Sequence, residues 1–139
     1  MFRSKYSYLF FLPFLVLLFI LINPYWYGDG VWYALELKAH ERLIPDAGHL
    51  IWIPLAFYLW KLLSIFYLEL DPLLSLQLLS ALGAVFLLHA TYLVTRSLEF
   101  SKRSSSLTII TLACTHFMLV YGGSGSSYTC AAAALTYST

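Results

Sequence analysis

The sequence predicts an all-α fold, arranged as a polytopic membrane helix bundle. Three observations support this prediction: 60% of the 139 residues are hydrophobic, only 11% are charged, and the mean hydropathy is +0.76. Soluble domains carry about 25% charged residues, so the composition places the chain among integral membrane proteins. The formal net charge of +1 gives no reason to expect nucleic-acid binding.

The first predicted span covers residues 6–24, an apolar run that follows Arg3 and Lys5. At about 1.5 Å per residue it is about 28 Å long, close to the hydrocarbon thickness of a bilayer. A signal peptide has a similar basic start and apolar middle. No small-residue cleavage site follows, however, so an uncleaved signal anchor is favoured. The Tyr-Trp-Tyr run at 25–27 then forms an interfacial aromatic belt.

Residues 25–71 form the predicted first outer loop, which is expected to fold into two amphipathic surface helices. This loop holds six of the seven acidic residues of the chain. Its first half predicts a helix with an apolar stripe and a separate face that carries Glu36 and His40. The stripe consists of Trp32, Leu35, Ala39 and Leu43.

The second half of this loop, residues 50–68, allows two interpretations. The segment is apolar enough to span a membrane, but Pro54, Lys61 and its aromatic residues suit a helix that lies on the membrane surface. If it lies on the surface, residues 72–95 are the second span, and the basic residues that follow return to the cytoplasmic side. This arrangement satisfies the positive-inside rule. The surface interpretation is therefore adopted, and the spanning alternative stays open.

The rest of the chain predicts a third span at 104–121, a flexible outer Gly-Ser turn at 122–127 and the start of a fourth span at 128–139. A span needs about 20 residues. Residues 1–139 are therefore expected to form one partial transmembrane domain that stops inside its fourth membrane helix. Such a chain is a truncated fragment or an unusually short protein.

Asp29 is the leading candidate for chemistry, because it is the first acidic residue after a long apolar run. A carboxylate at the outer membrane face can act as a general base on an acceptor hydroxyl. The alternative is that Asp29 caps a helix that begins at Gly30. The residues alone favour neither interpretation.

Four further residues are candidates for substrate binding. Glu36 and His40 are spaced i, i+4 and share a helix face, although a solvated surface pair is the simpler interpretation. His49 precedes an apolar helix and could meet a lipid phosphate, or could be an ordinary interfacial histidine. Lys61 could bind the same phosphate, but a side chain that snorkels to the headgroups is favoured. The sequence contains no HExxH motif and no paired-cysteine metal site, and the Gly-Ser turn lacks the lysine of a P-loop.

The order of these parts resembles the amino-terminal portion of GT-C-fold glycosyltransferases. That superfamily includes protein O-mannosyltransferases and bacterial aminoarabinose transferases. Residues 27–33 match the acidic start of the outer loop, and 49–55 match its His and Pro-Leu segment. Residues 79–96 resemble the next span with its basic end, and 121–139 resemble a polar turn before Tyr-Thr and a small-residue helix. The resemblance covers most of the chain and rests on order and spacing.

The resemblance implies transfer of a sugar from a polyprenyl-phosphate donor at the outer face of a membrane, expected to be the bacterial inner membrane. The amino terminus would be cytoplasmic, and membrane lipid would surround the chain. Asp29 would deprotonate the acceptor hydroxyl, and His49 and Lys61 would hold the lipid phosphate. Glu36 and His40 would line the cavity. No cofactor is certain, although the Glu36 and His40 pair could also bind a divalent metal.

The chain departs from the family pattern at two informative positions. Ser126 and Ser127 stand where many relatives have a glutamate shortly before the tyrosine that corresponds to Tyr128. Leu50 follows His49 where many relatives have proline. The missing glutamate, together with the expected early stop of the chain, favours a second hypothesis, a non-catalytic integral membrane protein or assembly partner. A transporter fragment is a weaker third hypothesis, because no predicted span has an acidic residue in its middle.

Overall fold

The computed structural model describes residue 21 and residues 29–40, 51–66 and 70–138. These residues form helices and the loops that join them, and they contain no β-strand, so the all-α prediction is confirmed. The predicted first span at 6–24, apart from Leu21, lies outside the described residues, as does His49.

Six helices follow one another along the described residues. They are α1 (Asp29–His40), α2 (Trp52–Ser64), α3 (Pro72–Ser97), α4 (Lys102–Ala113), α5 (His116–Tyr121) and α6 (Tyr128–Tyr137).

The 26-residue helix α3 is the element on which the others pack, since α1, α2, α4 and α6 all contact it. The Asp71 carboxylate caps α3 by accepting a hydrogen bond of 2.9 Å from the Leu73 amide. Pro72 then occupies the first turn, where its missing N–H costs nothing. Within the described residues, α3 is the one helix that is long and apolar enough to cross a membrane.

The core divides into two clusters along α3. The first joins α1 and α2 to the start of α3 through Leu37, Ile53 and Leu73. The second joins the middle of α3 to α5 and α6 through Leu88, Met118 and Ala133. The two parts of the predicted outer loop that are described therefore pack at one end of α3.

Helix α1 buries a different face from the apolar stripe that its sequence pattern predicts. Trp32 and Leu35 of that stripe are 63% and 58% exposed. Tyr33, Ala34 and Leu37 are buried instead, against α2 and the start of α3. Both faces of α1 are thus partly apolar, which explains why periodicity alone does not identify the buried face.

The predicted third span at 104–121 is divided in the structure, because α4 ends at Ala113 and α5 begins at His116. Thr115 stands at the division and caps α5. Its backbone is extended, and its hydroxyl accepts a hydrogen bond of 3.4 Å from the Met118 amide while donating to the Leu112 carbonyl at 2.7 Å. A hydroxyl that bonds the local backbone competes with helix propagation. The two pieces, of 12 and 6 residues, are each shorter than a membrane span.

Candidate functional site

Asp29 stands at the start of α1 with its side chain exposed. The helix is described from Asp29, so this carboxylate lies in the first described turn, where it interacts favourably with the helix dipole. Its Oδ2 atom accepts a hydrogen bond of 3.1 Å from the Tyr128 hydroxyl. The contact joins the first described helix to the last one.

Gly30 brings the start of α1 against the loop at 122–127, here called the Gly-Ser loop. Gly30 is buried, and a Cβ atom at this position would overlap the Ser124 carbonyl oxygen and lie 3.0 Å from the Gly125 backbone. Gly125 itself has a φ of 82°, a conformation that favours glycine. Glycine on both sides of the contact therefore sets the position of Asp29 relative to the loop.

The Gly-Ser loop is packed, whereas the sequence predicts a flexible turn. The Trp52 indole N–H of α2 donates a hydrogen bond of 3.1 Å to the Gly125 carbonyl in a buried setting. The Ser124 and Ser126 hydroxyls are 2.8 Å apart and bond to each other. The small residues of the Gly-Ser loop allow α1 and α2 to pack closely against it. The loop is therefore ordered, although its composition is typical of flexible loops.

Aromatic rings continue from Tyr128 along the neighbouring elements. The Tyr121 and Tyr128 rings meet edge to face with centroids 5.0 Å apart, and the Phe117 and Tyr121 rings are 5.3 Å apart. The edge contact between Tyr121 and Tyr128 restricts the orientation of both rings. The Tyr128 hydroxyl is therefore aimed at Asp29 by packing as well as by the hydrogen bond.

The other predicted binding residues are not gathered around Asp29 in the described part of the chain. Glu36 lies two turns further along α1 and is half-buried. His40 ends α1, and its side chain lies outside what is described, as does the whole of His49. The Lys61 ammonium lies 4.4 Å from the Trp60 ring centroid on its own helix.

Tyr128 and the Gly-Ser loop are site elements that the residue patterns did not identify. The pair of glycines at 30 and 125 gave a signal, since close backbone approach is a common reason for glycine. The two glycines are far apart in the sequence, however, so no local spacing predicts that they are in contact. Among the described residues, no three His, Cys, Asp or Glu side chains cluster in a way that could hold a metal ion.

No protein-family model matches the chain, and neither the curated proteins nor the solved structures contain a significant match. The resemblance to GT-C glycosyltransferases therefore stays a prediction.

Proposed function

We propose that this chain is the amino-terminal part of a polytopic membrane glycosyltransferase of the GT-C type. The parent enzyme would move a sugar from a polyprenyl-phosphate carrier to an acceptor hydroxyl at the outer membrane face. One observation carries the proposal: an exposed carboxylate, Asp29, is held by Tyr128 beside the start of the long apolar helix α3.

In the proposed reaction, Asp29 acts as the general base. Its carboxylate accepts the proton of the acceptor hydroxyl while the hydroxyl oxygen bonds to the anomeric carbon of the donor sugar. The bond from that carbon to the carrier breaks, and polyprenyl phosphate leaves with the electron pair. A carboxylate has about four lone-pair positions, and Tyr128 uses one of them. An acceptor hydroxyl can therefore share the group with Tyr128.

The remaining roles follow the family resemblance. His49 and Lys61 would hold the carrier phosphate, and Glu36 and His40 would line the acceptor cavity. The contact between the Lys61 ammonium and the Trp60 ring supports a place at headgroup depth, where a lipid phosphate also lies.

The proposed topology has a cytoplasmic amino terminus and puts α1 and α2 on the outer side. Helix α3 would then return the chain to the cytoplasm. Two observations support this orientation. Helix α3 is long and apolar enough to span a bilayer, and the basic residues Arg96, Lys102 and Arg103 lie at its carboxyl end or just beyond it.

A non-catalytic assembly role is the second candidate, and the Gly-Ser loop favours it. Many GT-C enzymes have a glutamate shortly before the tyrosine that corresponds to Tyr128, and this chain has Ser126 there. The Ser126 hydroxyl forms a hydrogen bond with the Ser124 hydroxyl inside the packed loop. A loop used in this way serves packing between helices. In this second hypothesis Asp29 and Tyr128 would hold α1 and α6 together without performing chemistry.

Replacement of the proposed base separates the two hypotheses. In the intact protein, Asp29→Asn should lower sugar transfer by about 10²–10⁴-fold, the usual contribution of general acid–base catalysis. Transfer is measured in membranes supplied with a radiolabelled polyprenyl-phosphate hexose or aminoarabinose. Lys38→Ala is the matched control, since Lys38 is exposed on the same helix and should leave the rate unchanged.

Either of two results would count against the base. Wild-type transfer by a well-expressed Asp29→Asn protein would remove Asp29 from the mechanism. A folded wild-type protein that transfers neither sugar would instead support the assembly role.

A further inference from the structure

Helices α4 and α5 together run back along α3, antiparallel to it. Helix α3 ends at Ser97, and α4 begins soon after at Lys102. At the end of α5, the Tyr121 carbonyl accepts a hydrogen bond of 2.6 Å from the Ser80 hydroxyl, in the amino-terminal half of α3. Between these two points, residues of α4 and α5 pack against the core at the middle of α3. The two short helices therefore follow α3 over most of its length.

The break between α4 and α5, here meaning residues 113–116, lies level with the middle of α3. Thr115 stands six residues before Tyr121, which is about 9 Å along a helix at about 1.5 Å per residue. The same distance from Ser80 along α3 reaches Phe86. In the proposed topology, on which this inference rests, α3 crosses the bilayer. The break then lies near the centre of the hydrocarbon.

A break at that depth needs polar partners. Backbone groups freed from a helix cannot bond lipid tails, so irregular backbone in a membrane is buried in protein or lines water. The Thr115 hydroxyl bonds one amide and one carbonyl at the break, those of Met118 and Leu112. Cys114 and His116, on either side of Thr115, are exposed. The described part of the chain therefore leaves the break open on one side.

The exposed side chain of His116 favours water over lipid at this opening. An imidazole has two ring nitrogens that form hydrogen bonds, and lipid tails offer no partner for either of them. Ionisable side chains inside a membrane face a protein interior or a water-filled cavity for this reason. Since the described residues do not bury His116, the second of these surroundings fits it better.

A row of hydroxyl groups joins the break to the basic start of α4. Its members are spaced four, three and four residues apart, which places them on one side of the helix. This row, here called the hydroxyl face, consists of Ser104, Thr108, Thr111 and Thr115. The exposed side chains of Leu107 and Ile110 lie on a separate, apolar side of α4. Water can therefore follow one side of α4 while lipid covers the other.

Ser105 provides an independent indication of water in the same helix. Its side chain is fully buried, and its hydroxyl has no hydrogen-bond partner among the described residues. Bound water is a usual partner of such a group. Ser105 directly follows Ser104, where the hydroxyl face begins. An unsatisfied hydroxyl and an open break thus indicate water at the two ends of this face.

We propose that the break between α4 and α5 is a hydrated site inside the membrane domain. Water molecules bond the freed backbone groups and the His116 imidazole, and they enter along the hydroxyl face from the end of α4 that carries Lys102 and Arg103. The ligand is water, not a lipid and not a further protein segment. The inference needs α3 to span the membrane, but it does not depend on sugar transfer.

The native thiol of Cys114 measures water at the break. Methanethiosulfonates attack the thiolate, which forms in water and not among lipid tails. The wild-type protein is placed in nanodiscs of phosphatidylcholine and phosphatidylglycerol, which leave both faces open to a small cationic methanethiosulfonate. Peptide mass spectrometry follows the reaction and separates Cys114 from Cys130, the other free cysteine. Cys114 should react within about tenfold of the rate of Ser101→Cys, a thiol in the exposed turn before α4.

Phe86→Cys is the matched control for depth, because Phe86 is 50% exposed on α3 at the level of the break. Ile110→Cys and Thr111→Cys are the matched pair for the path, since both positions are exposed and they lie on the apolar side and on the hydroxyl face of α4. All introduced thiols are made singly with Cys114→Ser. Thr111→Cys should react as fast as Cys114, whereas Phe86→Cys and Ile110→Cys should react at least about 100-fold more slowly than Ser101→Cys. Circular dichroism checks that each variant keeps its helical content, and Thr108→Cys replaces Thr111→Cys if the latter unfolds.

Three results would overturn the proposal. Slow reaction of Cys114, with Phe86→Cys also slow and Ser101→Cys fast, would mean that lipid or protein covers the break while the topology stands. Equal rates at positions 110 and 111 would remove the hydroxyl face as the path of water. Fast reaction of Phe86→Cys would place the middle of α3 in water, and the proposed topology would then fail together with the hydrated site.

Discussion

Glu99 has the least favourable backbone among the described non-glycine residues, with a φ of 61°. It stands just after α3, in the turn that satisfies the last carbonyls of the helix. The Glu99 amide donates to the Arg96 carbonyl, and the Phe100 amide donates to the Thr95 carbonyl. These two bonds form a Schellman motif, in which the residue at the Glu99 position is usually glycine.

Glu99→Gly should therefore stabilise the protein by about 1 kcal/mol, because glycine adopts a positive φ without the steric cost that an L side chain meets. The gain is measured as a shift of the thermal unfolding midpoint in detergent. Glu99→Ala is the matched control, since it removes the same charge and keeps the strained backbone. Equal gains from both variants would assign the effect to charge and contradict the steric explanation.

At the residue scale, the sequence singled out Asp29 as a candidate but did not predict the contact that the structure gives it. Asp29 was identified because a carboxylate after an apolar run is costly and conspicuous. Tyr128 was missed as its partner, since tyrosines are common in this chain and its partner lies 99 positions away. Glu36 could be placed on a helix face from spacing alone, but what that face meets depends on long-range packing.

Among the elements, α3 and α6 approach most closely where Gly83 meets Cys130. A Cβ atom at Gly83 would overlap the Cys130 sulfur and lie 2.7 Å from the Cys130 backbone nitrogen. The Ser80 carbonyl accepts a hydrogen bond from the Thr129 hydroxyl at 2.8 Å in the same contact. Small residues on both helices thus bring the two backbones together, as they do between membrane helices.

Gly83→Ala should destabilise the protein by about 1–3 kcal/mol, the usual cost of an extra methyl group in a tight contact. Unfolding in mixed micelles with rising sodium dodecyl sulfate measures the loss. The double variant Gly83→Ala with Cys130→Ala should remain nearly as unstable, because the Cys130 backbone still meets the new methyl group. Full recovery in the double variant would show that only the sulfur sets the distance between the helices.

Element prediction from the sequence succeeded at the start of α3, where a cap and a proline mark the helix, and failed at the predicted third span, which hydrogen bonds to the local backbone divide. Asp71-Pro72 correctly marked the start of α3. The division at Thr115 was missed because one threonine is compatible with a helix, and only its hydrogen bonds to the local backbone reveal the break.

On the scale of the whole molecule, α3 links two regions of different composition. Its amino-terminal turns contact α1, which carries Asp29 and Glu36, and α2, and its carboxyl end leads to the basic residues Lys102 and Arg103. Hydropathy and charge asymmetry are read from the sequence, and the orientation of α3 that they favour stays a prediction. They could not predict that α1 and the Gly-Ser loop meet, since that contact depends on how α6 packs against α3.

Accessibility mapping tests the orientation of α3 directly. Thiols introduced singly by Glu69→Cys and Ser101→Cys, each with Cys114→Ser, should be labelled from opposite sides by a membrane-impermeant maleimide. Intact cells should label position 69, and inverted vesicles should label position 101, because α3 lies between them and is long enough to span the bilayer. Labelling of both positions from the same side would exclude α3 as a span.

The hydrogen bond between Asp29 and Tyr128 has a consequence for the order of folding. Closing a loop of about 100 residues carries a large entropic cost, so such a contact forms after the local ones. During synthesis, α1 leaves the ribosome before Tyr128 has been made. Asp29 therefore lacks this hydrogen bond until α6 has been made and packs against α3. The contact between Asp29 and Tyr128 is therefore completed by the last helix described, and any event that stops synthesis before residue 128 prevents it from forming.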